Sequence, residues 1–182
     1  QIAGVIANNS STNRTAVWKQ GTGTWILSGT NTYSGGTTLA QGTLVLGGTS
    51  ALGGGSLTIQ DGVTLDANTP LILPAMNESW AGSFTFLGSN TLDISAGASS
   101  LTADATVTVA ASTLTVGNLS GPFALSKDGL GTLVLAGTNT FSGTLNVFAG
   151  TLAISGSTAL PTGVTVNAAA GATVLLQNVS NA

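Results

Sequence analysis

The chain has no cysteine and no histidine. That removes a disulfide framework, any Cys or His metal centre and histidine-based catalysis. Charge is nearly as scarce. Three basic and six acidic residues make up 5% of the 182 positions and leave a net charge of −3, where ordinary domains carry about 25% charged residues. Arg14, Lys19 and Lys127 are the only basic side chains. They are too few for a phosphate-binding stripe, so nucleic acid is excluded as a partner. No apolar run approaches the roughly 18 residues of a membrane helix, so no membrane insertion of this segment is expected. No Met opens the chain and no basic, apolar, small-residue leader precedes it. An export signal is therefore expected to be absent, removed or outside this segment.

What remains favours strands. Hydrophobic residues make up 42% of the chain and mean hydropathy is +0.44, enough for a core despite the low charge. Most of the rest is Thr, Ser, Asn and 26 Gly. Thr and the β-branched aliphatics favour strands, and Gly and Asn favour tight corners. Absence of cysteine with abundant Ser, Thr and Asn fits an exported bacterial surface protein.

The chain repeats itself. Residues 21–35, GTGTWILSGTNTYSG, return at 129–143 as GLGTLVLAGTNTFSG, an offset of 108. The register continues through Gly42-Thr43-Leu44 and Gly150-Thr151-Leu152, then Ala51-Leu52 and Ala159-Leu160. A finer rhythm lies beneath. Apolar pairs at i, i+2 recur as Trp25/Leu27, Leu44/Leu46, Val63/Leu65, Phe84/Phe86, Val107/Val109, Leu133/Leu135, Leu152/Ile154 and Val174/Leu176, at steps of twenty-odd positions, the longest from Val107 to Leu133. A second series lies between its members: Leu57/Ile59, Leu92/Ile94, Leu114/Val116, Leu145/Val147 and Val164/Val166. Each pair is the inward face of a short strand. Short strands repeating at this spacing describe a parallel β-solenoid, whose stacked coils share one core. About eight coils at roughly 4.8 Å each make a rod about 40 Å long. Uncharged outward residues follow, because like charges would pile up at that spacing. A β-sandwich of hairpins also gives frequent turn signals, but no fixed coil repeat.

The segments Lys19–Leu44 and Lys127–Leu152 resemble the autotransporter-associated β-strand repeat. Its pattern is a Lys, Gly-x-Gly-Thr-Leu, an apolar strand, Gly-x-Asn-Thr-Tyr-x-Gly-Gly-Thr and a later Gly-Thr-Leu. The first copy matches at Lys19, Gly23, Thr24, Gly29, Asn31, Thr32, Tyr33, Gly35, Gly36, Thr37, Gly42, Thr43 and Leu44, with Trp25 where the pattern prefers Leu. In the second copy Phe141 replaces the Tyr and Thr144 the second Gly. The resemblance implies an all-β chain: a right-handed, single-stranded parallel β-helix of the kind found in bacterial passenger regions. The expected organisation is one β-helix domain over residues 1–182, with motif copies at 19–66 and 127–176 and degenerate coils at 70–117.

Candidate functional residues are few. Asn31 and Asn139 are expected as structural ladder or corner residues. Tyr33 and Phe141 are candidate stacking platforms for sugars or, alternatively, packing between coils. Segment 68–83 carries Pro70, Pro74, Trp80 and the only Met and Glu. It reads as a loop protruding from the rod, with Trp80 a possible contact. The carboxylates are Asp61, Asp66, Glu78, Asp93, Asp104 and Asp128, expected as solvated corner residues. Glycoside hydrolysis would need two of them facing each other, with Asp66/Glu78 and Asp93/Asp104 the candidate pairs. Lys19 and Lys127 read as solvated residues between coils. Gly53-Gly54-Gly55 lacks the following Asp of a calcium-binding β-roll. Asn-x-Ser/Thr triplets at Asn8, Asn9, Asn13, Asn77, Asn118 and Asn178 are expected by composition alone.

The expected function is a non-enzymatic extracellular structural or adhesive element without cofactor. It is either a passenger-like stalk or a filament subunit stacking end to end on itself, with cell-surface glycans or proteins as further partners. The alternative is a carbohydrate-binding or polysaccharide-degrading β-helix.

Overall fold

The computed structural model describes residues 1–156 and 160–177. Ala159 of the internal repeat and the Asn178 triplet lie outside them. Every regular element among the described residues is a strand, and every strand pairing is parallel. The strands form three sheets, met in turn as the chain coils. The first face holds β1 (Val17–Lys19), β3 (Thr37–Leu39), β5 (Leu57–Ile59), β8 (Glu78–Trp80) and β11 (Ser99–Leu101). The second holds β2 (Thr24–Leu27), β4 (Thr43–Leu46), β6 (Val63–Ala67), β9 (Phe84–Phe86), β12 (Ala105–Val109), β14 (Leu125–Asp128), β16 (Leu145–Val147) and β18 (Val166–Ala168). The third holds β7 (Leu71–Ile72), β10 (Leu92–Asp93), β13 (Thr113–Gly117), β15 (Thr132–Ala136), β17 (Thr151–Ser155) and β19 (Thr173–Gln177). The eight strands of the second face define a β-solenoid of about eight turns.

Register explains the core. Alternate residues point inward, and each inward residue sits on its equivalent in the next coil. Leu92, Leu114, Leu133 and Leu152 form one such column on the third face. Trp25, Leu44, Leu65, Phe86 and Val109 form another on the second. Leucines of both columns are fully or almost fully buried. A strand this short hides little alone; stacking makes one continuous apolar interior from many such strands.

The faces correct the simple rhythm read from sequence. Val107/Val109 belong to the second face, but Leu133/Leu135 belong to the third. The unusually long step between the two pairs is a change of face. The true successors of the Val107 strand on its own face are Leu125 and Lys127.

The same shift separates the two motif copies. Lys19 lies on the first face and Lys127 on the second. Following the first face from Lys19 leads through β3, β5, β8 and β11 to the bridge at Ser120, five coils on, and Lys127 lies on the next face along the chain. The offset between the copies is therefore five coils plus one face. Each motif copy contributes a Lys strand, a Gly-Thr strand and a strandless Gly-x-Asn-Thr arc. The first copy's arc, residues 28–36, fills the third side before β7 begins that sheet. The second copy's arc, residues 137–144, fills the first side after β11 and the Ser100–Ser120 bridge end that sheet. This phase difference sets where the two shorter sheets start and stop.

The expected loop at 68–83 is instead part of the stack. It contributes β7 and β8, and Leu71, Leu73, Met76, Glu78 and Trp80 are all buried. Pro70 and Pro74 flank β7 in exposed positions, where a missing N–H costs the ladder nothing.

Candidate functional site

None of the proposed aromatic contacts is at the surface. Trp80, Tyr33 and Phe141 are all 0% exposed. Trp80 points inward from β8, edge-on to Phe84 with ring centroids 5.1 Å apart. Tyr33 and Phe141 turn inward from the two arcs, whose strandless backbone lets a ring fill space that a strand's side chains fill in other coils. The Tyr33 hydroxyl is bonded to Thr37 Oγ1; burial raises the Tyr33 pKa and that bond lowers it. In the second copy the equivalent pair is Phe141 and Leu145, both buried and apolar. A contact role for Trp80, Tyr33 or Phe141 is thus closed by burial.

Asn31 and Asn139 are buried corner residues. Asn31 Oδ1 accepts the Ile6 N–H at 2.8 Å, and Asn31 Nδ2 donates to Ala51 O at 2.7 Å, so one side chain ties its own coil to both neighbours. Asn139 Oδ1 accepts the Leu119 N–H at 2.8 Å in the same way. Asp61, Asp66 and Asp104 do similar work, accepting the N–H groups of Ser83, Ser89 and Ala124 in the following coil. A backbone N–H at a corner has no ladder partner, and these side chains supply one.

The lysines overturn the expectation of solvated residues. Lys19 and Lys127 are both 0% exposed and point inward from β1 and β14. Lys19 Nζ donates to the carbonyls of Gln20 (3.1 Å), Gly21 (2.6 Å) and Gln41 (2.8 Å). Lys127 Nζ donates to those of Asp128 (2.8 Å), Gly129 (2.7 Å) and Ala149 (3.2 Å). In each case two acceptors lie at the lysine's own corner and one in the next coil. The stem packs in the apolar interior, and the three ammonium protons meet three carbonyls that turn away from the ladders. Burial lowers both pKa values, Lys127 to about 8 with the Asp128 charge opposing. Lys19 also lies 5.6 Å from the Trp25 ring centroid, within cation–π range.

Asp66 and Glu78 are also buried, against the expectation of solvated corner carboxylates. Glu78 points inward from β8 between Leu57 and Ser99. Ser99 Oγ donates to its Oε2 at 2.7 Å, while Oε1 and Trp80 Nε1 are buried with no hydrogen-bond partner among the described residues. Burial raises its pKa to about 7, against the opposing Ser99 bond. Neither carboxylate pair proposed for hydrolysis shares a face. Asp66 belongs to the second face and Glu78 to the first; Asp93 belongs to the third and Asp104 to the corner before β12. No group of three or more Asp or Glu among the described residues is placed to hold a metal ion.

An open concavity runs along the rod. It is a groove of about 780 Å³ at the corner leading into the first face, with Arg14, Ser56, Asn77 and Asn118 among its lining and Gly35, Gly55 and Gly97 at its floor. Glycine is required there. A Cβ on Gly35, Gly55 or Gly97 would overlap the backbone of a neighbouring coil.

Residues 19–46 and 125–154 match the family model described as passenger-associated-transport-repeat. The chain carries two passenger-associated transport repeats. The matched segments coincide with the two lysine cages and the arcs that follow them, and the solenoid runs unbroken between the repeats. Repeats and fold together mark a passenger-type β-helix. No curated protein matches the chain, and no solved structure does.

Proposed function

We propose that this passenger-type β-helix is a non-enzymatic rod, secreted or displayed on a bacterial surface, whose work is to extend and adhere. The observation that carries the reading is how the polar interior is used. The buried lysines, asparagines and Asp66 are engaged with neighbouring coils and build the rod. The repeat family supports export. The test is display. Fused ahead of an autotransporter translocator, the chain is expected at the cell surface as a core resistant to proteinase K. Retention inside the cell, or complete digestion at the surface, overturns the reading.

Stacking into a filament is the second reading. Leu175 and Leu176 of β19, the last described strand of the third face, are 42% and 62% exposed, and an open strand edge is a template for further pairing. Negative-stain electron microscopy of the purified chain separates the two: isolated rods about 40 Å long support the stalk, and long filaments one solenoid wide support assembly.

A further inference from the structure

The outward row of the first face is uncharged and unbroken. Trp18 is in register with Thr38, Thr58, Ser79 and Ser100, and Ser100 bridges to Ser120. At about 4.8 Å per coil the row is about 24 Å long. Trp18 is 61% exposed at one end of it. Ser100 and Ser120 donate to the carbonyls of Glu78 and Ser99 and keep lone pairs free. The hydroxyls of Thr38, Thr58 and Ser79 make no hydrogen bond among the described residues.

The groove runs beside this row. Ser56, Asn77 and Ala98 line it, each the corner residue immediately before β5, β8 or β11 and two positions before a member of the row. Asn77 and Arg14 are exposed there, and neither side chain is bonded within the described residues.

The other faces lack this combination. On the second face Thr24, Thr43, Thr64, Thr85 and Thr108 form a comparable ladder, but it runs into Asp128, and the exposed aromatic Phe148 lies beyond that charge, one coil on. On the third, Thr113, Thr132, Thr151 and Thr173 form a hydroxyl row with no aromatic in it, and the other outward row runs from Ile72 through Asp93, Thr115, Val134 and Ala153 to Leu175.

We propose that the first face and its groove bind a neutral, extended polysaccharide lying along the rod axis. A sugar ring has an apolar C–H face and a belt of hydroxyls. Trp18 offers the flat apolar platform, and the hydroxyl row with Asn77 offers donors and acceptors at coil spacing. An anionic polymer would find one cation, Arg14. A protein partner would need a contiguous apolar patch, which this face does not present. The proposal rests on the adhesive reading above and names its ligand class.

The test uses the purified chain in solution, so it succeeds or fails independently of surface display. Cellohexaose, xylohexaose, mannohexaose and laminarihexaose are titrated by calorimetry. At least one is expected to bind, with affinity unchanged between low and high salt, since no charge is being screened. Trp18→Ala should weaken binding about tenfold or more, and Thr58→Glu should block the row. Leu130→Ala, at an 85% exposed corner away from this face, should change nothing. Circular dichroism checks that each variant is folded. Binding of none of the four sugars, a Trp18→Ala variant that binds like the parent, or affinity that collapses with salt each overturns the proposal.

Discussion

Lys19 and Lys127 lie on different faces of the rod, yet each ammonium is held by three backbone carbonyls, two from its own corner and one from the next coil. The cage therefore belongs to the motif and not to a face of the rod. Lys127→Met keeps the buried stem and removes every donor, orphaning three acceptors. It is expected to cost about 3 kcal/mol or more, read as a lower urea midpoint at unchanged m-value. Lys19→Met should behave alike. A variant as stable as the parent would show that the carbonyls find other partners.

The lysines also mark where sequence reading stopped. Strand rhythm, solenoid and repeat were all legible, because apolar alternation and a fixed offset survive without coordinates. The face change was not, since a strand on one face reads the same as a strand on another; the long step from Val107 to Leu133 marked it in one series, while the second series ran together strands of all three faces. Lysine and glutamate read as surface by default. Nothing local says that the corner after Lys19 turns its carbonyls inward, or that Glu78 replaces a core residue in register with Leu57. The prolines around β7 looked like a loop, although only their N–H groups, and not their neighbours' side chains, were lost to the stack.

Glu78 and Lys127 set opposing pH dependences. Glu78 is raised from 4.5 to about 7, so the folded chain binds its proton more tightly than the unfolded chain. Stability should fall as pH rises through that window and then level off. No cation faces it from the packed strands; β5 and β11 carry no charge, and Asp66 of β6 and Asp93 of β10 are held by Ser89 and the Ser95 N–H. Lys127 is lowered from 10.5 to about 8, so stability should rise between those values. A neutral amine still donates two of the three cage bonds, whereas Met donates none, so the two lysine predictions are compatible. The expected profile has its minimum near pH 7 to 8. Glu78→Gln should remove the acidic limb; a profile with a maximum there refutes the assignment.

Tyr33 and Thr37 satisfy each other, and the second repeat solves the same position with Phe141 and Leu145. Tyr33→Phe alone leaves the buried Thr37 hydroxyl without its partner and should cost about 1–2 kcal/mol. Adding Thr37→Leu rebuilds the apolar pair of the other copy and should recover most of that loss. The double-mutant cycle measures the coupling directly. Additive losses would mean that the two copies do not share one packing solution.

The floor of the groove tests how closely the coils approach. A Cβ on Gly97 would overlap the carbonyl of Met76 in the preceding coil, whereas a Cβ on Gly54, in the same groove, meets nothing within 4 Å. Met76 is buried and anchors its coil, so the backbone there has little room to retreat. Gly97→Ala should therefore separate the coils at that corner and lower the thermal midpoint by several degrees, with the loss concentrated where β8 meets β11. Hydrogen exchange would show it as faster exchange at the Glu78 N–H, which bonds Ala98 O at 2.9 Å. Gly54→Ala should be neutral or stabilising by about 0.4–1 kcal/mol through reduced freedom of the unfolded chain. Equal effects at the two positions would mean that the groove is set by glycine's flexibility and not by the close passage of one coil over another.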